Sequence, residues 1–471
     1  MKPPVNKGDI LENTRIEEMT LEGKGIVRVD RFVIFVEGGV PGDIVDIRID
    51  RIKKKHAEAR IQHIHTPSVD RVSPSCTYFG TCGGCKMQNI SYPKQLSVKE
   101  HAVQDAFERI GKLSFPAMNP ILGSAKTYGY RNRLDFTCAS KRWLTKEEIA
   151  QDMIINDPAI GFHIPGRFDK VLDITHCHLQ DGISNAVKNE IRDFALGNGI
   201  SFFDTISQEG MLRNLIVRSS SIGETMVIVV FKEDHVESRE LLLDHLVNRF
   251  PEITSLLYII NNKRNDTIFD QEVKLRYGRD HIFEEMEGLR FKVSAKSFYQ
   301  TNSDQAYELY KATRQLAGLT GRENIYDLYT GTGTIAMFIA GSASHVAGID
   351  YIDDAIKDAR ENAIRNGIDN VSFESGDLKE TLNADFISKY GHPDVVITDP
   401  PRSGMHPDVV QKLLELKPDR IVYVSCNPTT QARDLQILDN DFQITAIQPV
   451  DMFPHTMHVE NITLLQKRQT Q

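Results

Sequence analysis

The first seventy residues alternate apolar and polar side chains, with glycines and prolines between the alternating runs. Residues 27–29 and 33–35 follow a period of two, which is typical of strands with one buried face. Gly38-Gly39 and Pro41-Gly42 mark turns after these strands. The pattern predicts a small OB-like β-barrel over residues 1–70.

The pattern over residues 71–285 mixes helical and extended segments. Residues 92–111 have the spacing of a helix that a glycine closes. Apolar runs on either side of Gly223 predict a pair of strands, and the segment before Pro251 predicts a helix. We therefore expect a mixed α/β central domain, whose first helix, within residues 92–120, packs on the domain that follows.

From residue 286 onward, strand and helix patterns alternate regularly. Apolar runs such as ENIYDL, HVAGID, DVVIT and RIVYVS are separated by helical segments such as DDAIKDAREN. This alternation is typical of a doubly wound parallel sheet with helices on both faces. The sequence thus predicts a Rossmann-like α/β domain over 286–471.

The composition is that of a globular protein and indicates the compartment in which it acts. The 471 residues are 40% hydrophobic and 26% charged, as in an ordinary globular protein, and the net charge is −9. The start of the chain has no apolar signal core, and no apolar run reaches bilayer length, so we expect a cytoplasmic protein without membrane contact. Because a reducing compartment disfavours disulfides, the six cysteines are candidates for metal binding or catalysis.

One segment is locally basic despite the negative total charge. Between Arg48 and Arg60, six lysine and arginine residues stand against two acids. A solvated edge strand protected by lysines and a phosphate-binding stripe both explain this composition. The residues alone leave the two interpretations open.

The segment DLYTGTGT, residues 327–334, has the features of a ligand loop at the end of a strand. Gly331 and Gly333 let a ligand approach the backbone closely, although a tight turn without a ligand has the same glycines. The next two predicted strands end near acids: Asp350 suits the hydroxyls of a ribose and Asp377 suits an adenine amino group. A helix cap is the alternative role of Asp350. Glycine loop and acids at successive strand ends resemble the pattern of S-adenosylmethionine methyltransferases.

Two further motifs carry reactive side chains. DPPRSG begins at Asp399, and Arg402 stands where amine methyltransferases have an aromatic residue, which disfavours amine methylation. SCNPTT holds Cys426, and PHTMHVE ends at Glu460, 34 residues later. A thiolate that adds to carbon 6 of a pyrimidine activates carbon 5 for methylation, and a base must then remove the carbon 5 proton. Cys426 and Glu460 suit these roles, although a lone cysteine at a strand end is commonly a buried apolar residue.

DPPRSG, YVSCNPTT and VDMFPHTMHVE closely resemble the signatures of the S-adenosylmethionine-dependent RNA 5-methyluridine methyltransferases. With an N-terminal barrel that resembles a TRAM domain, the resemblance covers essentially the whole chain. It implies that Cys426 is the nucleophile and Glu460 the base. It also implies cofactor contacts at the residues that match the family's motifs, which are Gln300 in SFYQTN, Tyr329 and Thr334 in DLYTGTGT, Asp350 in GID and Asp399 in DPPR.

Four cysteines have the spacing of a metal site. Cys76, Cys82 and Cys85 form C-x5-C-x2-C, and Cys177 in THCHLQ is the natural fourth ligand. Spacing alone suits a zinc ion and an iron–sulfur cluster comparably, since two histidines flank the fourth cysteine. Ribosomal-RNA members of the family often carry a 4Fe–4S cluster on such cysteines, so the resemblance favours the cluster over zinc. Cys138 fits no ligand pattern, and we expect it in the core.

The resemblance implies RNA as the partner. A target uridine must leave its stack to reach Cys426, and the basic segment then has phosphates to bind. The cysteine set points to 23S ribosomal RNA. Transfer RNA is the alternative substrate, and a non-catalytic RNA-binding protein on a methyltransferase scaffold is a third hypothesis. We expect the chain to act as a monomer.

Overall fold

The computed structural model describes residues 3–144, 146–150 and 157–469. The first domain has six strands, which are β1 (Ile10–Arg15), β2 (Glu18–Met19), β3 (Lys24–Val29), β4 (Phe32–Glu37), β5 (Ile44–Ile52) and β6 (His56–Thr66). They form one sheet in the order β1-β5-β6-β4-β3-β2, in which only the β4–β6 pair is parallel. Ile34 and Val36, like Val45 and Ile47, are buried because every second side chain of a strand faces the core. The predicted N-terminal β-domain is confirmed.

The predicted first helix is α1 (Tyr92–Asp105), which continues as one π-helical segment, Ala106–Gly111. Its buried residues Val103 and Phe107 share a hydrophobic core with the C-terminal domain. The segment ends at Gly111, and a β-carbon on this residue would lie 3.1 Å from the backbone carbonyl oxygen of Ala432 in that domain. Helix α1 thus packs on elements that are distant from it in the sequence.

The central sheet follows this helix. Its elements are β7 (Arg133–Ala139), α2 (Lys146–Ala150), β8 (Ala159–His163), β9 (Val171–Asp173), α3 (Ser184–Gly197), β10 (Leu212–Ser219), β11 (Thr225–Phe231), α4 (Val236–Arg249), β12 (Ser255–Ile260) and β13 (Val273–Gly278), with a separate hairpin of β14 (His281–Met286) and β15 (Leu289–Ser294). The strand order is β13-β12-β11-β10-β7-β8-β9. The strand pair predicted around Gly223 and the helix predicted before Pro251 are confirmed as β10, β11 and α4. Cys138 lies in β7 and is buried in the core, as expected.

The C-terminal domain alternates helices and strands. Its elements are α5 (Ser303–Ala317), β16 (Asn324–Leu328), α6 (Thr334–Ala340), β17 (His345–Asp350), α7 (Asp353–Arg365), β18 (Val371–Ser375), α8 (Leu378–Thr381), α9 (Ala384–Tyr390), β19 (Val395–Thr398), α10 (Pro407–Leu416), β20 (Arg420–Ser425), α11 (Pro428–Leu438), β21 (Phe442–Val450) and β22 (Glu460–Lys467). The sheet order is β18-β17-β16-β19-β20-β22-β21. The first five strands are parallel, so the predicted Rossmann-like domain is confirmed.

One strand, β22, differs from the all-parallel prediction. Strand β22 inserts between β20 and β21 and runs antiparallel to both. The reason is the connection: β21 and β22 are joined by residues 451–459 without a crossover helix, and a direct connection between adjacent strands requires the chain to reverse. This reversal brings the start of β22 to the carboxyl edge of the parallel strands.

Among the described residues, no helix combines the length and the apolar character that a bilayer crossing requires.

Candidate active site

The carboxyl ends of β16, β17, β19 and β20 open into one cavity of about 1460 Å³. Its walls contain Gln300, Tyr329, Gly331, Thr334, Asp350, Asp399, Cys426 and Glu460, all of which were predicted from the sequence. Gly333 and Asp377, also predicted, do not contribute to the described walls. The fold therefore gathers most of the predicted residues at one place.

The glycine loop after β16 bends sharply. Tyr329, Gly331 and Gly333 have φ angles of 62°, 56° and 75°. At Gly331 a β-carbon would meet nothing within 4 Å, so the left-handed backbone alone calls for glycine. At Gly333 a β-carbon would lie 2.7 Å from the ring of Phe373, so glycine there allows the loop to pack against β18. Gly331 thus faces the cavity, whereas Gly333 shapes the loop.

Asp350 ends β17 at the floor of the cavity and is only 7% exposed. Its two carboxylate oxygens accept hydrogen bonds from the backbone N–H groups of Gly331, at 2.9 Å, and of Ile352, at 3.0 Å. Each oxygen keeps a lone pair for a further donor. The carboxylate is therefore held in place and can still accept from a pair of hydroxyls.

Asp377 lies at the surface instead. Its Oδ1 atom accepts from the backbone N–H of Lys379 at 3.0 Å, and its carboxylate lies 3.2 Å from the Lys379 ammonium. The backbone hydrogen bond and the nearby ammonium lower the pKa of Asp377. The residue caps α8 in this arrangement, and its predicted contact with an adenine stays a prediction.

Gln300 lies on the segment between β15 and α5 and is 8% exposed. Asn132 fixes this segment from the central domain. The Asn132 backbone N–H donates to the carbonyl of Thr301 at 2.9 Å, and its side-chain amide donates to the carbonyl of Gln300 at 2.8 Å. With its backbone fixed in this way, Gln300 contributes its side chain to the cavity wall.

The sequence did not single out Asp327, the acid inside β16, as a site residue. Its Oδ2 atom accepts from the hydroxyl of Thr330 at 2.5 Å, and complete burial raises its pKa to about 7. Asp327 and Tyr310 also line the cavity. The signal was present in the sequence as a single acid within the apolar strand NIYDL.

The DPPRSG loop is tied to the segment that holds the cysteine. The carbonyl of Arg402 accepts from the side-chain amide of Asn427 at 3.0 Å and from the hydroxyl of Thr430 at 3.1 Å. Asn427 also caps α11 by accepting from the N–H of Thr429 at 3.1 Å. Desolvation raises the pKa of Asp399 to about 7. These bonds place Asp399 and Arg402 beside the thiol.

Strand pairing brings the thiol and the carboxylate together. Ser425 of β20 is in register with Asn461 of β22, so Cys426 and Glu460 both lie one residue beyond this pair, toward the same edge. Glu460 is 4% exposed, and burial together with the charge of Asp399 raises its pKa to about 8. Burial, helped by the nearby Glu460 and Asp399, raises the pKa of Cys426 to about 11, and Arg402 opposes this effect. A protonated thiol therefore stands beside a base that titrates near neutral pH.

The four predicted metal ligands lie around a second cavity of about 280 Å³, with Cys76, Cys82, Cys85 and Cys177 in its walls. All four are free thiols, and burial raises the pKa of Cys85 to about 12 and that of Cys177 to about 11. Within the described ranges, no set of three or more histidine, cysteine or carboxylate side chains is arranged to hold a metal ion. The predicted metal site is therefore not confirmed, although the thiols do converge.

The two cavities share part of their walls. Arg131 and His458 line both of them. Burial and the charge of Arg402 lower the pKa of His458 to about 4. His458 Nε2 lies 3.5 Å from the Arg402 guanidinium. Sequence reasoning found neither Arg131 nor His458 as a wall residue, because they come from segments that are far apart in the chain.

Comparison with protein families gives two matches. A family described as tRNA (Uracil-5-)-methyltransferase matches residues 268–468, which contain the whole of the first cavity's reactive edge. A TRAM domain matches residues 13–61, within the six-stranded sheet.

Individual relatives match nearly the whole chain. An uncharacterized RNA methyltransferase of Bacteroides thetaiotaomicron is 57% identical over 96% of this chain and 100% of its own length. Another, of Chlorobaculum tepidum, is 37% identical over 98% of this chain and 97% of its own. The crystal structure of Pyrococcus abyssi tRNA (uracil-54, C5)-methyltransferase in complex with S-adenosyl-L-homocysteine aligns with a TM-score of 0.73. It is 30% identical, and the alignment covers 96% of this chain and 99% of that one.

Replacement of Glu460 by Gln should reduce the pH dependence of stability. The folded chain retains the Glu460 proton up to a pKa of about 8, whereas 4.5 is the ordinary value that the unfolded chain approaches. The contribution of Glu460 to the free energy of unfolding is therefore highest below pH 4.5. It falls by about 1.4 kcal/mol per pH unit as the pH rises from 4.5 to about 8. Urea unfolding of the wild type and of E460Q at about pH 5.5 and about pH 7.5 measures the difference.

The exposed Glu285 offers a control, because E285Q makes the same chemical change away from the cavity. We expect E285Q to follow the wild type at both pH values. If E460Q lost stability with rising pH as steeply as the wild type does, the buried glutamate would not be the cause.

Proposed function

This chain belongs to the S-adenosylmethionine-dependent RNA (uracil-5-)-methyltransferases, and we propose that the uridine it methylates lies in 23S ribosomal RNA. The observation that carries this assignment is the set of four cysteines, Cys76, Cys82, Cys85 and Cys177, around one cavity. Such a set matches the cluster-bearing ribosomal members that the motifs resemble. We further propose that the enzyme acts as a monomer in the cytoplasm.

Transfer RNA is the second candidate substrate. The similar Pyrococcus abyssi enzyme is named a tRNA (uracil-54, C5)-methyltransferase, and the alignment covers nearly the whole of both chains. The cavity takes up a single target uridine, which is the same nucleotide in either RNA. We therefore expect surfaces outside the cavity to discriminate between ribosomal and transfer RNA.

We assign the cofactor to the part of the cavity between the glycine loop and β17. Asp350 accepts from the ribose hydroxyls with the lone pairs that Gly331 and Ile352 leave free. The other contacts are assigned to Gln300, Tyr329, Gly331, Thr334 and Asp399, which line the same cavity. S-adenosylmethionine, when bound, supplies the methyl group. We assign no contact to Gly333, which shapes the loop, or to Asp377, which caps α8.

Cys426 is the proposed nucleophile. Its thiol must lose a proton before it adds to carbon 6 of the uracil, and in the empty cavity its raised pKa opposes this. Arg402 works in the opposite direction, because its positive charge favours the thiolate. Once the Sγ–carbon 6 bond forms, the electron density at carbon 5 increases and this atom accepts the methyl group.

Glu460 is the proposed base. After methylation, carbon 5 carries both a hydrogen and the new methyl group. The Glu460 carboxylate takes the proton, the carbon 5–carbon 6 double bond returns, and the Cys426 sulfur leaves. A pKa of about 8 suits this step, since a general base is most effective when its pKa lies near the working pH.

The N-terminal domain is the proposed RNA-binding surface. Arg48, Arg51, Lys54 and Lys55 are exposed on β5 and the turn that follows it. None of the four forms an ion pair within 4.0 Å with any residue of the described part of the chain, so their charges are available for phosphates. The other two cations of the segment are partly neutralised, since Lys53 pairs with Glu58 at 2.9 Å and Arg60 with Asp50 at 3.6 Å.

We propose that the four thiols hold a 4Fe–4S cluster. The four thiols line one cavity, and their spacing is that of the cysteines that carry a 4Fe–4S cluster in the ribosomal members that the motifs resemble. Burial raises the pKa of Cys85 and of Cys177, so metal binding to these two thiols must release their protons. The cluster has no assigned part in the methyl transfer.

The two catalytic roles predict opposite effects on a covalent complex with RNA. Cys426→Ala should abolish the complex, because no thiol is left to add to carbon 6. Glu460→Gln should accumulate the complex and slow product formation by about 100-fold or more, because the carbon 5 proton stays in place. Denaturing gels of labelled RNA measure both outcomes. Cys138→Ala is the control, since this cysteine is buried in the central sheet, and it should behave as the wild type.

A substrate comparison tests the choice of RNA. The enzyme is incubated with methyl-labelled S-adenosylmethionine and either unmodified 23S ribosomal RNA or unmodified transfer RNA, followed by nucleoside analysis. Label should enter 5-methyluridine of the ribosomal RNA. Label in transfer RNA alone would reassign the substrate, and label in cytidine or adenosine alone would refute the carbon 5 uridine chemistry.

The cluster predicts a coloured protein. Anaerobically purified enzyme should absorb visible light and contain iron and acid-labile sulfide, and Cys177→Ser should lose much of both. Cys138→Ser should retain them, because Cys138 lies away from the second cavity. A colourless protein that carries zinc would contradict the proposed cluster.

A further inference from the structure

The loop that leads to Glu460 has no regular structure of its own. Residues 451–459, here called the base loop, join β21 to β22, and Val450 and Glu460 at its two ends are in register across the sheet. His455 in the middle has a φ of 66°, which is unusual for a residue other than glycine. Such a loop takes its conformation from what surrounds it.

A buried ion pair holds the first part of the base loop. Lys99 of α1 and Asp451 both have side chains with 0% exposure, and the Lys99 Nζ atom lies 2.5 Å from Asp451 Oδ1. The same ammonium donates to the carbonyl of Phe453 at 3.0 Å. Tyr92, also on α1, donates its hydroxyl to Asp451 Oδ2 at 2.9 Å. One lysine thus binds the loop at two points that are two residues apart.

Other residues of the N-terminal half bind the middle of the loop. Gln95 accepts from the N–H of His455 at 2.8 Å, and its amide lies 3.0 Å from His455 Nδ1. The carbonyl of His455 accepts from the N–H groups of Lys86 and Met87, at 2.7 and 3.0 Å. Tyr130 donates to the carbonyl of Pro454 at 2.9 Å. The base loop is therefore shaped largely by segments outside the C-terminal domain.

Packing alone does not explain the Lys99–Asp451 pair. Removing two charges from water is costly, and an apolar pair of similar volume commonly holds a helix against a sheet as well or better. What the ammonium adds is direction, because it must satisfy a carboxylate and a carbonyl at defined distances. These two contacts constrain the path of the chain between β21 and Glu460.

We propose that Lys99 is a positioning residue for the Glu460 carboxylate. By fixing Asp451 and Phe453, it sets the base loop so that Glu460 meets the carbon 5 proton of the methylated uridine. The inference rests on the proposed function of Glu460 as the base. Lys99 is fully buried and is not part of the described lining of the first cavity, so its proposed effect on the reaction acts through the base loop.

The experiment compares two buried lysines. Lys99→Met removes the ammonium and keeps the length of the side chain. Lys188→Met is the matched control, because Lys188 on α3 is also 0% exposed and donates a long hydrogen bond, of 3.5 Å, to the carbonyl of Ile160, away from the base loop. Both full-length variants are tested well below their melting temperatures with RNA and S-adenosylmethionine in single-turnover reactions. The measured quantities are formation of the covalent complex and its release as product.

We expect Lys99→Met to form the covalent complex at close to the wild-type rate and to release it about 10- to 100-fold more slowly, as a displaced base predicts. The KM for S-adenosylmethionine should stay unchanged. Lys188→Met should lose thermal stability yet release the complex normally. If Lys99→Met released the complex as Lys188→Met does, Lys99 would be structural only and the inference would be overturned.

Two further outcomes remain interpretable. If the wild type formed no covalent complex, the proposed function would fail and not merely the inference. If Lys99→Met did not fold, Asp451→Asn would replace it, because the amide keeps an acceptor for Lys99 but removes the charge. Slower release with normal formation in Asp451→Asn supports the role of the pair, and wild-type release refutes it.

Discussion

The antiparallel insertion of β22 between β20 and β21 is the constraint on which the site depends. A purely parallel sheet would bring the end of β20 to the carboxyl edge but would start the last strand at the opposite edge. Because β22 runs the other way, its first residue, Glu460, lies next to Cys426. Although Cys426 and Glu460 are 34 residues apart in the sequence, they lie opposite each other at the ends of two paired strands. Cys426 and Glu460, the proposed nucleophile and base, owe their proximity to the pairing of β20 with β22.

Desolvation then sets the chemistry of the cavity. The pKa of Asp327 and that of Asp399 are raised to about 7, and that of Glu460 to about 8, because each carboxyl is removed from water; nearby acids add to the effect at Asp327 and Glu460. An empty cavity therefore holds protons that a cationic ligand would displace, since a nearby positive charge lowers the pKa of a carboxyl. The sulfonium of S-adenosylmethionine is such a charge. A sulfonium bound in this cavity would therefore favour the ionised form of these acids.

The N-terminal half of the chain also packs against the C-terminal domain. Helix α1 shares a core with the C-terminal domain, and the segment after the last clustered cysteine donates two backbone hydrogen bonds to His455. Arg131 and His458 separate the thiol cavity from the catalytic one. The central and C-terminal domains, which the sequence divides at residue 285, are thus joined by hydrogen bonds at the base loop. Hydrogen bonds thus connect the segment after Cys85 with the loop that leads to Glu460.

Local pattern determined much of this protein. Alternating apolar residues predicted the N-terminal sheet, and strand–helix alternation predicted the Rossmann-like domain, because both patterns report which face of an element is buried. Short motifs identified Cys426, Glu460 and the glycine loop, since these residues are fixed by chemistry or by backbone geometry within a few positions. The motifs could not separate Gly333 and Asp377 from residues that face the cavity, because facing depends on neighbours such as Phe373 and Lys379.

Only the tertiary structure decided the contacts between distant segments. It reversed β22 relative to its neighbours, made Asp327 a wall of the cavity, and placed Lys99 against Asp451, 352 residues away. It also raised the pKa of Glu460, since burial is a property of the packed fold and not of the sequence around a residue. The sequence by itself determined which groups can react. The packing of one half of the chain on the other decided the positions of these groups and their pKa values.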